Sequence, residues 1–398
     1  MSTTETPRPA PSLKDRRVGV LRRKGSESKN RIALDKPPPA FYWILVIVAC
    51  FVLLGLVMVL SSSSVTSLHT GSSSWDMFMR QSVWVIVGGC VLWFLSSVPY
   101  DTWQKQAIIM WPTIIVVGMN LAVVAKGRVI GGATAWLDIG PFRFQPSEFM
   151  KLMAILFAAN LLAKRHRAIA IRAIVLWPML FVMGITCLLC VAQKDYGSAM
   201  IFAGTLYAMM VMAGVPFSQL LVTGAGLGVL AAGVLTFAGR ASERLLAYLH
   251  LEETKEDVGY QVYQALLSIA NGGWSGTGIG AGTSKWGYVP LAYSDFIFSV
   301  IAEELGILGT VMVIGGFLLL VLLAIQVALS ASDLYGAYIA GGVAAWFGIQ
   351  AIVNIGGVVG VLPMTGLTLP FLSYGGSSMI VSMAAVGLLL NVARYSRR

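Results

Sequence analysis

Apolar residues run along the chain in blocks about as long as a bilayer is thick. A helix needs about 20 mostly apolar residues to cross hydrocarbon. Ten runs approach that length: 41–60, 82–98, 107–125, 149–163, 173–192, 199–214, 220–238, 307–329, 337–359 and 379–393. Three of them (82–98, 149–163 and 379–393) are short. Backbone inside lipid must satisfy its own hydrogen bonds, so these runs predict helices rather than strands. Pro216, followed by Phe217, Ser218 and Gln219, divides what would otherwise read as one helix over 199–238. The pattern predicts an all-α polytopic membrane protein, its ten-helix domain spanning 41–398, with a long connection over 239–295 between the seventh and eighth helices.

Composition supports this pattern. Of 398 residues, 57% are hydrophobic and 12% charged, about half the charged share of soluble domains. Four cysteines are too few for a secreted disulfide scaffold, and the apolar content excludes a disordered chain. A net charge of +10 would suggest nucleic acid in a soluble protein, but here its position matters. Of the 28 Lys and Arg, 18 fall on one side of a ten-span arrangement, ten of them within residues 1–40. The others are Lys105, Lys164, Arg165, Arg167, Arg172, Arg394, Arg397 and Arg398. That side carries +12 and the opposite side −2, so both termini are expected in the cytoplasm and no nucleic-acid partner is expected. Residues 1–40, rich in Pro, Ser and basic residues, predict a disordered cytoplasmic tail rather than a secretory signal. Contact with anionic membrane lipids, docking of cytoplasmic partners and plain topological anchoring are all open to it.

Several motifs imitate chemistry without its context. Cys187 and Cys190 form a CxxC, but within an apolar helix and with no histidine nearby, which reads as packing. Gly276, Gly278, Gly280 and Gly282 resemble a nucleotide loop without a βαβ unit and read as a flexible turn. Ser26-Glu27-Ser28-Lys29 matches SxxK without its companion motifs. Gly356 and Gly360 form a GxxxG, read as close helix packing.

Charges beside apolar spans are costly and tend to be functional. Here they gather on the expected outer face. Residues 126–151 hold Trp136, Asp138, Arg143, Gln145, Pro146, Ser147, Glu148 and Lys151. Ser147 is a candidate helix cap, and Glu148 and Lys151 are spaced to pair on one turn. That pair reads equally as structural or as a lysine held for an anionic headgroup. Asp195 lies in a short turn, Gln193 to Gly197. In 239–295, Glu252–Asp257 reads as a solvated face, while Arg240 and Arg244 suit phosphate, which guanidinium binds through two hydrogen bonds. Asp295 leads into an apolar helix that also holds Glu303 and Glu304. At 100° per residue, Glu303 can share the face of Asp295, and Glu304 should meet another helix. A helix cap is one reading of Asp295; a partly buried general base is the other. Residues 362–378, apolar and punctuated by Gly and Pro, read as non-helical backbone walling a cavity. These features fit an enzyme or a transporter of an anionic lipid.

Thr365–Ser378 (TGLTLPFLSYGGSS) resembles the C-terminal signature of the SEDS family. Ser294–Gly306 (SDFIFSVIAEELG), Gln145–Lys151 (QPSEFMK), Gly259–Gln264 (GYQVYQ), and Gln193, Asp195 and Gly197 resemble further blocks of that family, in order, over residues 41–394. The resemblance implies a ten-span peptidoglycan glycosyltransferase. Such proteins polymerise lipid II on the outer face of the cytoplasmic membrane, with a class B penicillin-binding protein that crosslinks the product. It implies that Asp295 is the essential aspartate and that Glu148, Lys151 and Asp195 are cavity residues. Arg244 matches a family arginine in the long loop, and Gln145 and Ser377, in two of the blocks, join the substrate-binding set. Ala135, Lys194, Tyr196, Leu291 and Tyr293 depart from the family pattern around these residues.

On this reading the acceptor's GlcNAc 4-hydroxyl gives its proton to Asp295, and its oxygen attacks the donor's anomeric carbon with inversion, forming a β-1,4 bond. Arg244 and Lys151 stand near the pyrophosphate. No resident cofactor is certain. A divalent cation, Mg or Mn, is the candidate, since cations stabilise a departing pyrophosphate. The extended tail and the TGLTLP wording lean toward the division or sporulation members of the family, with septal synthesis in cell division and division-machinery partners as the expectation. An elongation-type polymerase, a lipid II flippase and a tail-dependent scaffold are the alternatives.

Overall fold

A computed structural model describes residues 37–69, 73–130, 133–139 and 142–396. The basic tail expected over 1–40 lies outside the described residues up to Lys36; its last two positions, Pro39 and Ala40, open the first helix. The elements run α1 (Pro39–His69), α2 (Asp76–Ser97), α3 (Gln106–Lys126), β1 (Arg128–Ile130), β2 (Ala133–Ile139), β3 (Phe142–Phe144), α4 (Pro146–Lys164), α5 (Leu176–Ala192), α6 (Tyr196–Ala213) and α7 (Phe217–Phe237). They continue with α8 (Gly239–Leu249), α9 (Leu251–Thr254), α10 (Tyr260–Gly272), α11 (Ile297–Ser330), α12 (Leu334–Val358) and α13 (Gly376–Arg394).

Among the described residues, nine helices are long and apolar enough to cross a membrane, and the 17-residue α5 is a shorter apolar helix between them. Together they match the ten expected runs in order. Between α6 and α7 the chain turns through Gly214, in the left-handed region at φ 81°, and Pro216 caps the next helix. The connection after α7 is itself largely helical (α8–α10), where the sequence suggested a loop.

The helices differ widely in burial. α13, rich in Ser, Ala and Gly, is 89% buried over its apolar window, whereas α2 and α7 are 17% and 11% buried and turn outward. Small residues let backbones approach where lipid and side chain are equally apolar. A β-carbon on Gly387 of α13 would sit 2.7 Å from the Leu92 carbonyl of α2, and one on Gly88 would meet Met383. The Gly356/Gly360 motif serves differently from expectation. Gly356 packs on Leu362 of the following segment, and Gly360 sits at φ 73° beyond the end of α12, so it terminates a helix rather than joining two.

The β-strands were not foreseen. β1, β2 and β3 form an antiparallel meander, with Asp138 opposite Arg143 and Leu137 opposite Phe144. Thr134 N–H donates to the Gln193 carbonyl (2.8 Å), which fastens the meander to the α5–α6 turn.

α11 starts ten residues before the expected span and is broken at Gly306 (φ 64°, ψ −156°). The loop after α10 satisfies the polar groups at the break. Thr277 and Gly278 donate to the Glu303 and Glu304 carbonyls, and Ile307 donates to Gly273. The four glycines read as a flexible turn thus form a fitted piece. A β-carbon on Gly276 would lie 2.2 Å from the Glu304 carbonyl oxygen.

Candidate functional site

Asp295, Arg244, Gln145 and Ser377 meet at one end of the bundle, around the non-helical segment 362–378, with Asp195 joined through Gln145 and Lys151 through Gln350. This segment is largely buried, including Leu367, Leu369, Phe371 and Leu372. Its carbonyls and amides are held from five directions. Arg244 of α8 donates to the Thr365 carbonyl (2.6 Å). Gln350 of α12 donates to Thr368 (2.7 Å) and Asn354 of α12 to Leu367 (2.5 Å). Gln81 of α2 donates to the Ser373 carbonyl (3.2 Å) and accepts from Gly375 (3.3 Å). The loop before α11 supplies the Ser294 carbonyl to Ser373 Oγ (2.6 Å) and the Tyr293 carbonyl to Tyr374 N–H (2.9 Å). On α13, Ser377 Oγ accepts from the Gln145 backbone N–H (3.0 Å). Non-helical backbone at this depth is tolerable because protein covers it.

Asp295 and Arg244 converge on Gly366. A β-carbon there would stand 3.2 Å from Arg244 Nη2 and 3.4 Å from Asp295 Oδ2, and the backbone is left-handed (φ 77°). Only glycine gives that backbone and that clearance together. Asp295 does not cap α11; Phe296 occupies that position, and no side chain caps it. The Asp295 carboxylate is partly accessible yet deep in protein. Burial pushes its pKa up to about 6, against the opposing pull of Arg244 and the Ser294 hydroxyl, with Asp195 adding to the rise.

Asp195 caps α6, its Oδ1 accepting from Ser198 N–H (3.0 Å), and its Oδ2 accepts from Gln145 Nε2 (3.4 Å). The turn before it closes a helix: Asp195 N–H bonds the Cys190 carbonyl and Lys194 N–H the Val191 carbonyl, with Lys194 left-handed at φ 59°. Gln193 Nε2 reaches Asn120 Oδ1 (3.0 Å), tying α3 to this turn.

Glu148 and Lys151 pair at 2.7 Å with both side chains buried. Lys151 also donates to Gln350 Oε1 (3.2 Å) and lies 5.6 Å from the Trp346 ring centre. A cavity of about 10 Å³ lies between Lys151, Thr205 and Trp346, room for one water. The structure encloses Lys151 instead of presenting it to a headgroup, because Glu148, Gln350 and Trp346 surround its ammonium. Ser147, expected as a cap, lies inside α4; Gln145 is the N-cap residue and Pro146 the first helical residue. Arg240's side chain lies outside the described residues.

Glu304 meets another helix as its spacing suggested, but Glu303 turns to the glycine loop and does not join Asp295, because the Thr283 and Ser284 donors take up its carboxylate. Glu303 accepts from Asn271, Thr283 and Ser284, side chain and backbone together. Glu304 accepts from Ser61 of α1 (2.5 Å) and from Gly280 N–H (3.0 Å). Glu303 is thus committed to the glycine loop. Among the departures from the family pattern, Ala135 is buried, and the Tyr293 ring packs edge-on against Tyr374 at 5.8 Å. The buried amides Gln81, Gln350 and Asn354 were missed. Their signal was present: amide side chains within apolar runs need partners.

Among the described residues, no group of three or more His, Cys, Asp or Glu could hold a metal ion. Asp195 bears on the Asp295 carboxylate, and these two are the carboxylates of the site that would face a divalent cation.

Bundle and site together define a multi-pass α-helical membrane protein with a carboxylate and a guanidinium at one end. Residues 41–398 match the FtsW/RodA/SpoVE family, described as "Cell cycle protein", and the chain belongs to that family. It is 35% identical over 356 residues to stage V sporulation protein E of Bacillus subtilis (strain 168), covering 89% of this chain and 97% of that protein. It is also 35% identical over 357 residues to a probable peptidoglycan glycosyltransferase FtsW of Geobacter sp. (strain M18), covering 88% and 95%. Among solved structures, a chain of a peptidoglycan synthase complex that coordinates polymerization and crosslinking is similar at TM-score 0.73 and 28% identity, over 89% of this chain and 97% of that one. The rod shape determining protein RodA of Thermus thermophilus is similar at TM-score 0.65 and 26% identity, over 93% and 99%.

Proposed function

We propose that the chain is a peptidoglycan glycosyltransferase of the division type, polymerising lipid II at the outer face of the cytoplasmic membrane beside a class B penicillin-binding protein. The observation that carries this reading is the Asp295 carboxylate next to Arg244 over the Gly366 backbone. Asp295 takes the proton of the acceptor's GlcNAc 4-hydroxyl. The freed oxygen attacks the donor's anomeric carbon from the face opposite the pyrophosphate, whose bond to that carbon breaks with its electron pair. The lipid pyrophosphate leaves as an anion near Arg244 and needs no proton from a general acid, which accounts for one strong carboxylate where glycosidases use two. Gln145, Asp195 and Ser377 shape the wall on which the disaccharide rests. Glu148 and Lys151 support that wall from within the bundle through Gln350.

The test is polymerisation of lipid II by the purified protein with its cognate transpeptidase. Asp295→Ala should lose about 10²–10⁴-fold in rate, the usual share of a general base; wild-type glycan synthesis by that variant would refute the assignment. Transport of lipid II in proteoliposomes without polymer would favour the flippase alternative. A fluorescent fusion concentrated at the septum supports the division role, and one spread along the side wall supports elongation.

A further inference from the structure

Asp295 makes no helix-capping bond, yet its main chain is anchored. Asn354 Nδ2 donates to the Asp295 carbonyl (3.0 Å) and to the Leu367 carbonyl (2.5 Å). One buried amide thus uses both protons to bridge the loop that carries the carboxylate and the segment that carries Gly366. One helical turn earlier on α12, Gln350 repeats the arrangement on the neighbouring residue. Its Nε2 donates to the Thr368 carbonyl (2.7 Å), while its Oε1 accepts from Trp346 Nε1 (2.6 Å) and Lys151 Nζ (3.2 Å). Residues four apart on a helix lie on one face, so both amides act along one edge of 365–368. From the other side Arg244 holds Thr365. The segment that sets the distance between Asp295 and Arg244 is therefore fixed at Thr365, Leu367 and Thr368, on both sides of Gly366.

We infer that Asn354 is a positioning residue for the Asp295 carboxylate, with Gln350 keeping the 365–368 backbone in register. The inference rests on the reading of Asp295 as general base. Asn354 reaches no reacting atom; it acts by holding Asp295 against Arg244. A displacement of about 1 Å at a reacting centre can cost roughly 100-fold in rate. Three other groups bear on the Asp295 carboxylate: Arg244 of α8, Asp195 at the start of α6, and the neighbouring Ser294 hydroxyl. Arg244 is the cation among them, so slackening the loop weakens its hold and leaves Asp195 and burial to dominate.

The experiment compares Asn354→Ala and Asn354→Ser with wild type and Asp295→Ala, all as full-length protein with the cognate transpeptidase and lipid II. Rate, KM, pH profile and thermal melting are recorded. Asn354→Ala should lower kcat by roughly 100-fold with KM within about threefold. The acid limb of its pH profile should move up by about one unit as the guanidinium's influence is lost. Asn354→Ser, which keeps one donor, should fall between, and both should remain folded, with melting temperatures lowered by the orphaned carbonyls. An acid limb coincident with wild type in a folded Asn354→Ala overturns the inference, whatever its rate. Failure of both variants to fold also overturns it, because Asn354 would then hold the bundle and not the carboxylate. A fully active Asp295→Ala would instead overturn the general-base reading, so the two failures are distinguishable.

Discussion

Lys151 and Glu148 form an ion pair at 2.7 Å that is closed to solvent on both sides. Breaking such a pair leaves a lone buried charge, at a cost of about 3–5 kcal/mol. Lys151→Ala should therefore lower the melting temperature of the purified protein sharply. The double variant Glu148→Gln/Lys151→Met, which removes both charges and keeps volume, should recover most of the stability. It should not recover full activity, because Gln350 loses the ammonium that fixes its Oε1. A double variant with wild-type turnover would show that the pair serves stability alone.

The pH dependence of polymerisation follows from Asp295. A general base must be unprotonated, and burial raises this carboxyl to about 6. Protonation then removes the base as pH falls through that value, well above the ordinary carboxylate range. Arg244 opposes the rise, so in Arg244→Ala the acid limb should lie at higher pH than in wild type, on top of any loss in substrate binding. A limb at lower pH in that variant would contradict the assignment. The measurement is kcat/KM for lipid II against pH.

Gly366 should tolerate no side chain. An alanine there incurs the left-handed penalty, about 1–2 kcal/mol, and its methyl carbon falls within 3.4 Å of both Asp295 and Arg244. Gly366→Ala should lose more activity than its melting temperature suggests, since the groups displaced are those of the site.

Lys194 is a non-glycine residue at φ 59° in the turn that closes α5. Glycine is favoured in that position. Lys194→Gly should stabilise the protein by about 1 kcal/mol, read as a rise in melting temperature, with Asp195 kept as the cap of α6.

Much of this molecule is legible in the order of its apolar runs. The ten helices fall where hydropathy places them, and the Pro216 break is local chemistry. Asp295 and Asp195 could be singled out because charges beside spans are costly, Arg244 because guanidinium suits phosphate, and Gln145 through the QPSEFMK block that resembles the family. The remainder depends on partners distant in sequence. Helical spacing said that Glu303 and Glu304 diverge, but not that residues 271–284 would fold back as their ligands. The β-meander of 128–144 was missed because a short alternation such as Ala133–Ile139 carries little signal beside ten long spans. Lys151 could be paired with Glu148 by spacing alone, but its enclosure needed Gln350 and Trp346, some 200 residues on.

The seam between the glycine loop and the break in α11 bears on protein engineering. Both halves of the loop hydrogen-bond across it, from Gly273 and Thr277 through Gly280 to Ser284. An epitope tag or fluorescent reporter inserted anywhere from 273 to 284 would separate these donors from the carbonyls and carboxylates of Glu303 and Glu304. The exposed turn around Glu252–Asp257, which makes few such bonds, is the place in the α7–α11 connection where a foreign sequence can be grafted.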